Sequence, residues 1–181
     1  MNKKSIYLIV LGIALVISGV IVEVVAFTER NEEETYSSLQ KQMDFRQVVF
    51  NKFSDKYFTI EKVQTGTTST HQLFKVNYNI KGNVDSFYIE ALWQTTKDEN
   101  QIQDVDLRSI NKHIHLSNER NQLPDFIIIG VGSNPSLPKQ LFVVPVNDLS
   151  SFHISSDFLE KYRKDDVKKN FFYHTDRNVL K

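Results

Sequence analysis

The stretch that decides the predicted fold is Gln72–Trp93, QLFKVNYNIKGNVDSFYIEALW. From Phe74 to Ile80 apolar and polar side chains alternate, which is typical of a strand with one buried face. The apolar members are Phe74, Val76, Tyr78 and Ile80. Lys81-Gly82-Asn83 predicts a tight turn, and Val84–Trp93 predicts the returning strand. The sequence therefore places an antiparallel hairpin at the centre of the fold.

Further elements are predicted on both sides of this hairpin. The short apolar run Asp125–Val131 suits a strand that is buried on both faces. A hairpin followed by a helical crossover to such a strand gives a mixed sheet with helices on its faces, so we expect an α/β fold. The other predicted elements are helices over Leu39–Phe53, Asp104–Arg120 and Asp157–Lys164, strands over Tyr57–Val63 and Leu141–Val146, and a strand-like segment at Phe171–Tyr173.

The N-terminal part predicts a membrane anchor. Ser5–Phe27 contains 23 residues, almost all apolar. As a helix it would be about 34 Å long, enough to cross a hydrocarbon core of about 30 Å. A cleaved signal peptide is the alternative, but its apolar region is shorter and ends in small residues. We therefore expect a transmembrane helix in residues 1–28, with residues 5–27 in the lipid bilayer, an acidic tether in 29–38 and a soluble domain in 39–181.

Charge and composition limit the location and the class of function. Lys3 and Lys4 favour a cytoplasmic N-terminus and an extracytoplasmic domain, although Arg30 and Lys41 lie on the other side of the apolar stretch. The chain has 22 basic and 22 acidic residues, which argues against a large sequence-independent DNA footprint. It has no cysteine, which excludes disulfides, thiolate zinc sites and a cysteine nucleophile.

Four segments carry a resemblance to a known superfamily. They are Phe87–Trp93, Phe126–Ser136, Leu141–Val146 and Phe158–Arg163. Together they resemble the PD-(D/E)xK, or restriction-endonuclease-like, proteins, and within them a branch of bacterial proteins. The resemblance covers about residues 41–180. It implies a core with the element order αβββαβ, a mixed sheet and flanking helices.

The resemblance also implies a set of site residues. In that superfamily an Asp on one strand and the Glu of an E-x-K motif on the next strand bind Mg²⁺, and the Lys assists the attacking water. Glu90 matches the metal-binding Glu and is catalytic only if the domain is active. Leu92 stands at the Lys position, Gln72 at the Asp position, and Arg46 where a helix often offers Glu. These three are remnants of the motif.

Three other residues are candidate substitutes for the missing groups. Asp85 lies five residues before Glu90, and this odd spacing puts the two on opposite faces of a strand. Lys75 lies on the adjacent strand, and Lys97 could reach back from a loop. A lone carboxylate binds Mg²⁺ weakly, so loss of catalysis is the expected outcome. We therefore expect no metal and no cofactor, with Mg²⁺ only where nuclease activity remains.

Three functions are compatible with these residues. The first is a catalytically inactive nuclease-like domain that acts as a binding or interaction module for an unknown protein or nucleic acid. The second is a Mg²⁺-dependent nuclease that uses Glu90 with a displaced Asp and Lys. The third is an extracytoplasmic envelope protein that binds another protein. Separately, the five basic and two acidic residues of Lys161–Lys169 form either a phosphate-facing patch or a solvated helix end.

Overall fold

The structure is a computed structural model. The residues it describes are 37–63, 72–96, 104–107, 123–151 and 153–181. The chain divides into two units, Met1–Gln40 and Lys41–Lys181, and the second unit contains the sheet. The predicted anchor, Lys97 and most of the predicted helix Asp104–Arg120 lie outside the described residues. Within the described ranges, none of the helices is long and apolar enough to cross a membrane.

The described part of the domain is a mixed sheet with two helices, which confirms the predicted α/β class. Helix α1 covers residues 37–50 and helix α2 covers Ser156–Glu160. The strands are β1 (Phe58–Lys62), β2 (Leu73–Ile80), β3 (Asn83–Thr95), β4 (Val105–Asp106), β5 (Phe126–Gly132), β6 (Gln140–Pro145), β7 (His153–Ile154), β8 (Tyr173–His174) and β9 (Val179–Leu180).

Five of these strands form the main sheet in the order β1-β2-β3-β5-β6. Strands β3 and β5 are parallel, and the other neighbours are antiparallel. The β2–β3 hairpin runs from the pair Ile80–Asn83 to the pair Leu73–Glu90, which confirms the predicted hairpin. Lys81 and Gly82 both have positive φ, at 53° and 86°, as a two-residue turn with the twist of the strands requires.

Apolar side chains cover both faces of the sheet in two separate layers. Layer 1 contains α1, the β8–β9 hairpin and one face of the sheet, and it includes Phe45, Val49, Phe87, Ile128 and Tyr173. Layer 2 contains Leu107, Leu159 and the other face of the sheet, and it includes Leu92, Ile127 and Phe142. All seven residues of β5 are buried, as its apolar run predicts for a strand covered on both sides.

The predicted helix Asp104–Arg120 is wrong at its beginning. Val105 pairs with Ile154 in the short β4–β7 ladder instead of starting a helix. The Asp104 carboxylate accepts a hydrogen bond of 3.0 Å from Ser156 N, at the start of α2. Asp104 therefore helps to cap a helix that is distant in the sequence, and the local helical pattern is overridden by this tertiary contact.

The predicted helix Asp157–Lys164 is shorter than expected and ends at Glu160. Beyond it the backbone pairs with the open edge of β6. Val143 N donates to Tyr162 O at 3.0 Å, and Lys164 N donates to Leu141 O at 2.8 Å. Because these bonds need an extended backbone, they end the helix and cover the edge strand.

Candidate functional site

Few polar side chains are buried in the described domain, and three of them are motif positions from the sequence. Glu90 is the most buried, with 1% of its surface exposed. The buried polar and charged residues are Arg46, Lys52, Gln72, Glu90 and Thr96. Burying a charged group is unfavourable unless other groups compensate it, so each of these side chains needs a structural or functional account.

Glu90 lies in the middle of the sheet, where β2 begins. It pairs with Leu73 of β2 on one side and with Ile127 of β5 on the other. Residues that are directly opposite in neighbouring strands share a face, so Glu90 faces layer 2 together with Ile127. The carboxylate is therefore enclosed by sheet and core, not displayed at a surface.

Leu92 stands two residues after Glu90 on the same face. It is buried and packs in layer 2, and it pairs with Ile129 of β5. In a catalytic E-x-K site this position needs an ammonium group that can reach a phosphate or a water. Here the position is part of the apolar core, and its side chain can neither donate a proton nor neutralise charge.

Gln72 immediately precedes β2 and is bonded to the backbone. Its Nε2 donates to Val63 O at 2.6 Å and to Leu73 O at 3.2 Å. An ionised Asp is an acceptor only and could not bond to these two carbonyl oxygens. The Gln72 side chain therefore connects the end of β1 to the start of β2. At both contacts it acts as a hydrogen-bond donor, whereas a metal ligand would have to present an oxygen.

Arg46 projects from α1 close to the same point. Its Cζ lies 5.9 Å from the centre of the Phe74 ring. Burial lowers the pKa of Arg46, and the negative charge of Glu90 partly opposes this effect. Arg46 packs on the Phe74 side of the sheet, in layer 1, whereas Glu90 faces layer 2, so the two charges act on each other from opposite faces of the sheet.

Of the three candidate substitutes, the structure describes Asp85 and Lys75. Asp85 pairs with Tyr78, which belongs to layer 1, so it lies on the face opposite to Glu90. Lys75 pairs with Tyr88. This pair is two register positions from the pair Leu73–Glu90, so Lys75 lies on the same face as Glu90. Lys97 is outside the described residues. In the part of the chain that the structure describes, no three His, Asp or Glu side chains are grouped to hold a metal ion.

A second polar cluster, which the sequence patterns did not indicate, lies at the other end of the hairpin. Tyr173 OH donates to Asn178 Oδ1 at 2.7 Å, and its ring stacks on Phe87 with centres 4.6 Å apart. Burial, followed by the neighbouring Tyr78, raises the pKa of Tyr173 to about 12. Burial also raises the pKa of Asp125, whose carboxylate accepts a bond from Tyr88 N at 2.7 Å. No pattern within a short stretch of sequence predicts this cluster, because its members come from strands that are distant in the sequence.

Lys52 is a buried charged residue that the sequence analysis did not assign to a site. It falls within the apolar spacing of the predicted helix Leu39–Phe53, and this spacing is the only signal of its burial. In the structure it follows α1 and is 8% exposed, and its Nζ donates to Val167 O.

The chain was compared with known proteins by sequence and by structure. No family model, curated protein or solved structure matches the chain.

Proposed function

We propose that the chain is a membrane-anchored protein whose nuclease-like domain has lost catalysis and acts as a binding or interaction module. The observation that carries this proposal is the burial of Glu90, which is 1% exposed and faces the apolar side chains of layer 2. A Mg²⁺ ion brought to this carboxylate would need several further oxygen ligands, whereas layer 2 supplies apolar side chains.

Two other positions support the loss of catalysis. The Lys position of the motif is Leu92, which packs in layer 2. The Asp position is Gln72, whose amide donates to two backbone carbonyls. Leu92 and Gln72 thus have structural roles in place of the catalytic groups that the motif requires. The mixed sheet, in which β3 and β5 are parallel beside an antiparallel hairpin, supports a nuclease-like domain.

The experiment is a nuclease assay on the full-length chain with single- and double-stranded DNA, with and without Mg²⁺. We expect no Mg²⁺-dependent cleavage by the wild type. Two variants make the result specific: Glu90→Ala removes the buried carboxylate, and Glu61→Ala removes an exposed one on β1. Cleavage that is lost in Glu90→Ala but kept in Glu61→Ala would refute the proposal and establish an active nuclease.

The active nuclease has one observation in its favour, which is the position of Lys75. Lys75 lies on the same face of the sheet as Glu90, two residues along β2 from Leu73, the partner of Glu90. A lysine displaced from the motif could therefore approach the carboxylate. If the wild type cleaves DNA in the presence of Mg²⁺, Lys75→Gln should abolish the cleavage. If cleavage persists in that variant, another cation assists the reaction.

The membrane anchor and its orientation are part of the same proposal. They rest on the length of the apolar segment 5–27 and on Lys3 and Lys4. The test is to fuse alkaline phosphatase after Lys181 in one strain and green fluorescent protein in another. Phosphatase activity without fluorescence places the domain outside the cytoplasm and favours a protein partner in the envelope. Fluorescence without phosphatase activity places it inside and makes nucleic acid the first ligand to test.

A further inference from the structure

The turn at residues 164–170 receives two lysine side chains from different parts of the chain. Lys52, which follows α1, donates from Nζ to Val167 O. Lys164, at the start of the turn, donates from Nζ to Asn170 O at 3.4 Å. Phe171 N also donates to Lys52 O at 2.8 Å, which holds the two segments together. Both ammonium groups therefore contact the same short piece of backbone, between Val167 and Asn170.

Positive charge exceeds negative charge at this turn. The turn contains Lys164, Lys168 and Lys169 with Asp165 and Asp166, and Lys52 contacts it from the end of α1, which leaves an excess of two positive charges (four minus two). The chain as a whole has a formal net charge of zero, so this excess is local. Burial lowers the pKa of Lys164, and the charge of Lys52 lowers it further. The two ammonium groups thus repel each other.

Asp166 opposes this repulsion only in part. Its charge acts favourably on both Lys52 and Lys164. The same carboxylate, however, accepts a bond from Lys168 N at 2.8 Å and lies 3.9 Å from Lys169 Nζ. One carboxylate is therefore shared among several donors and holds the turn in shape, and it does not neutralise the cluster.

The lysines also keep hydrogen-bond donors for a ligand. An ammonium group has three N–H donors, and within the described residues Lys52 and Lys164 each direct one of them to a backbone carbonyl, while Lys164 Nζ also lies 5.4 Å from the centre of the Phe171 ring. Lys169 is largely exposed, with 76% of its side chain open to solvent, so a ligand can approach from outside the turn. A group that carries two negative charges and several acceptor oxygens would match both the excess charge and the spare donors.

We propose that the turn 164–170 binds a phosphate group, as inorganic phosphate or a phosphomonoester, through Lys164 and Lys169 with Lys52 behind them. A phosphate suits this cluster better than a carboxylate does, because its second charge balances the excess and because point-like ammonium groups do not require a planar ligand. The inference does not depend on the loss of nuclease activity, since the turn borders β6 and involves none of the motif residues.

The test measures thermal unfolding of the full-length chain against inorganic phosphate, with sodium chloride adjusted to keep the ionic strength constant. A ligand that binds only the folded state raises the Tm as its concentration increases. We expect such a rise for the wild type and an apparent affinity about tenfold weaker for Lys164→Gln, because one charge-assisted hydrogen bond is lost. Lys169→Gln should weaken binding as well. Lys52 is not the first choice for substitution because its burial could make the variant unstable.

The matched control is Lys62→Gln, which removes the same charge from an exposed position on β1, at the opposite edge of the sheet. It should respond to phosphate like the wild type. If phosphate leaves the wild-type Tm unchanged, or shifts all variants equally, the proposed site does not exist.

A second arm identifies the source of the phosphate. Inorganic phosphate is compared with dihexanoyl phosphatidic acid, a soluble lipid that carries a phosphomonoester. Tighter binding of the lipid than of inorganic phosphate, lost in Lys164→Gln, identifies a headgroup site. Equal or weaker binding of the lipid identifies free phosphate or a small phosphomonoester as the ligand.

Discussion

The side chain of Gln42 forms two hydrogen bonds with the backbone of Trp93. Its Nε2 donates to Trp93 O, and Trp93 N donates to its Oε1, both at 2.9 Å. Strand β2 begins at Leu73, which pairs with Glu90, so Trp93 lies beyond the last β2 pair. The Gln42 amide therefore takes the place of a neighbouring strand, and it fixes α1 to the part of the sheet next to the motif residues.

We expect Gln42→Ala to lower the free energy of unfolding by about 1–3 kcal/mol. The substitution leaves a backbone donor and a backbone acceptor of Trp93 without these partners in a buried environment. The matched control is Gln47→Ala on the same helix, because Gln47 is exposed and its side chain donates to Asn51 Oδ1. Urea denaturation should show the control within about 0.5 kcal/mol of the wild type. Equal losses in both variants would mean that the Gln42 bonds do not stabilise the fold.

The second prediction concerns Gly130 on β5. A Cβ atom at this position would lie 2.2 Å from Cε2 of Phe45 and 2.5 Å from its Cζ. Gly130→Ala should therefore lower the free energy of unfolding by about 1–3 kcal/mol through overpacking. A double-mutant cycle tests the cause by making Gly130→Ala in a Phe45→Leu background. The edge of the Phe45 ring is then missing, so the added methyl group should lower the free energy of unfolding by less. A cost that is unchanged in that background would show that Phe45 is not the cause.

These two contacts show what the sequence can and cannot predict. The hairpin at Gln72–Trp93 and the buried strand β5 follow from local alternation and from a continuous apolar run, and the structure confirms both. The role of Gly130 as a contact for Phe45 depends on how α1 crosses the sheet. No pattern within a short window contains that information.

The same distinction explains the errors in element boundaries. Asp104 and the residues after Glu160 have locally helical patterns. Asp104 instead binds the start of α2, and residues 162–164 pair with the edge of β6. Both outcomes depend on partners that are distant in sequence, and such contacts override weak helix propensity.

The candidate site residues stay predictions, but their burial can be compared with the sequence. The resemblance points to Arg46, Gln72 and Glu90, and the structure buries all three. The resemblance does not indicate that Gln72 would bond to two carbonyls, or that Arg46 would come close enough to interact with the charge of Glu90. These relationships arise where β2 ends and α1 packs, so they become visible only in the folded domain.

The third prediction concerns the charges of Arg46 and Glu90. Arg46→Met should lower the free energy of unfolding by about 3 kcal/mol, because it removes positive charge near a carboxylate that is 1% exposed. The double variant Arg46→Met with Glu90→Met should lose less than the sum of the two single variants. The control is Arg163→Met, whose partner Glu160 is 3.3 Å away and exposed; it should cost at most about 1 kcal/mol. Additive losses in the buried pair would show that the two charges do not interact.

The last prediction concerns Tyr173 and stability at high pH. Its pKa is raised from 10.0 to about 12 in the folded domain, because burial and the neighbouring Tyr78 disfavour the phenolate. The stabilising contribution is therefore complete below pH 10. It is lost as the pH rises from about 10 to about 12, since the unfolded chain ionises first and gains free energy from doing so. The loss is at most about 3 kcal/mol, since each pKa unit corresponds to a little over ~1 kcal/mol.

The measurement is the free energy of unfolding in urea across this pH range. Tyr173→Phe keeps the stacking on Phe87 but cannot ionise, so its stability should fall less steeply above pH 10 than that of the wild type. At neutral pH the variant should be slightly less stable, because the bond to Asn178 is lost. The control is Tyr57→Phe, at a position that is 41% exposed, and it should follow the wild-type curve. If Tyr173→Phe also follows that curve above pH 10, the alkaline loss of stability comes from other groups.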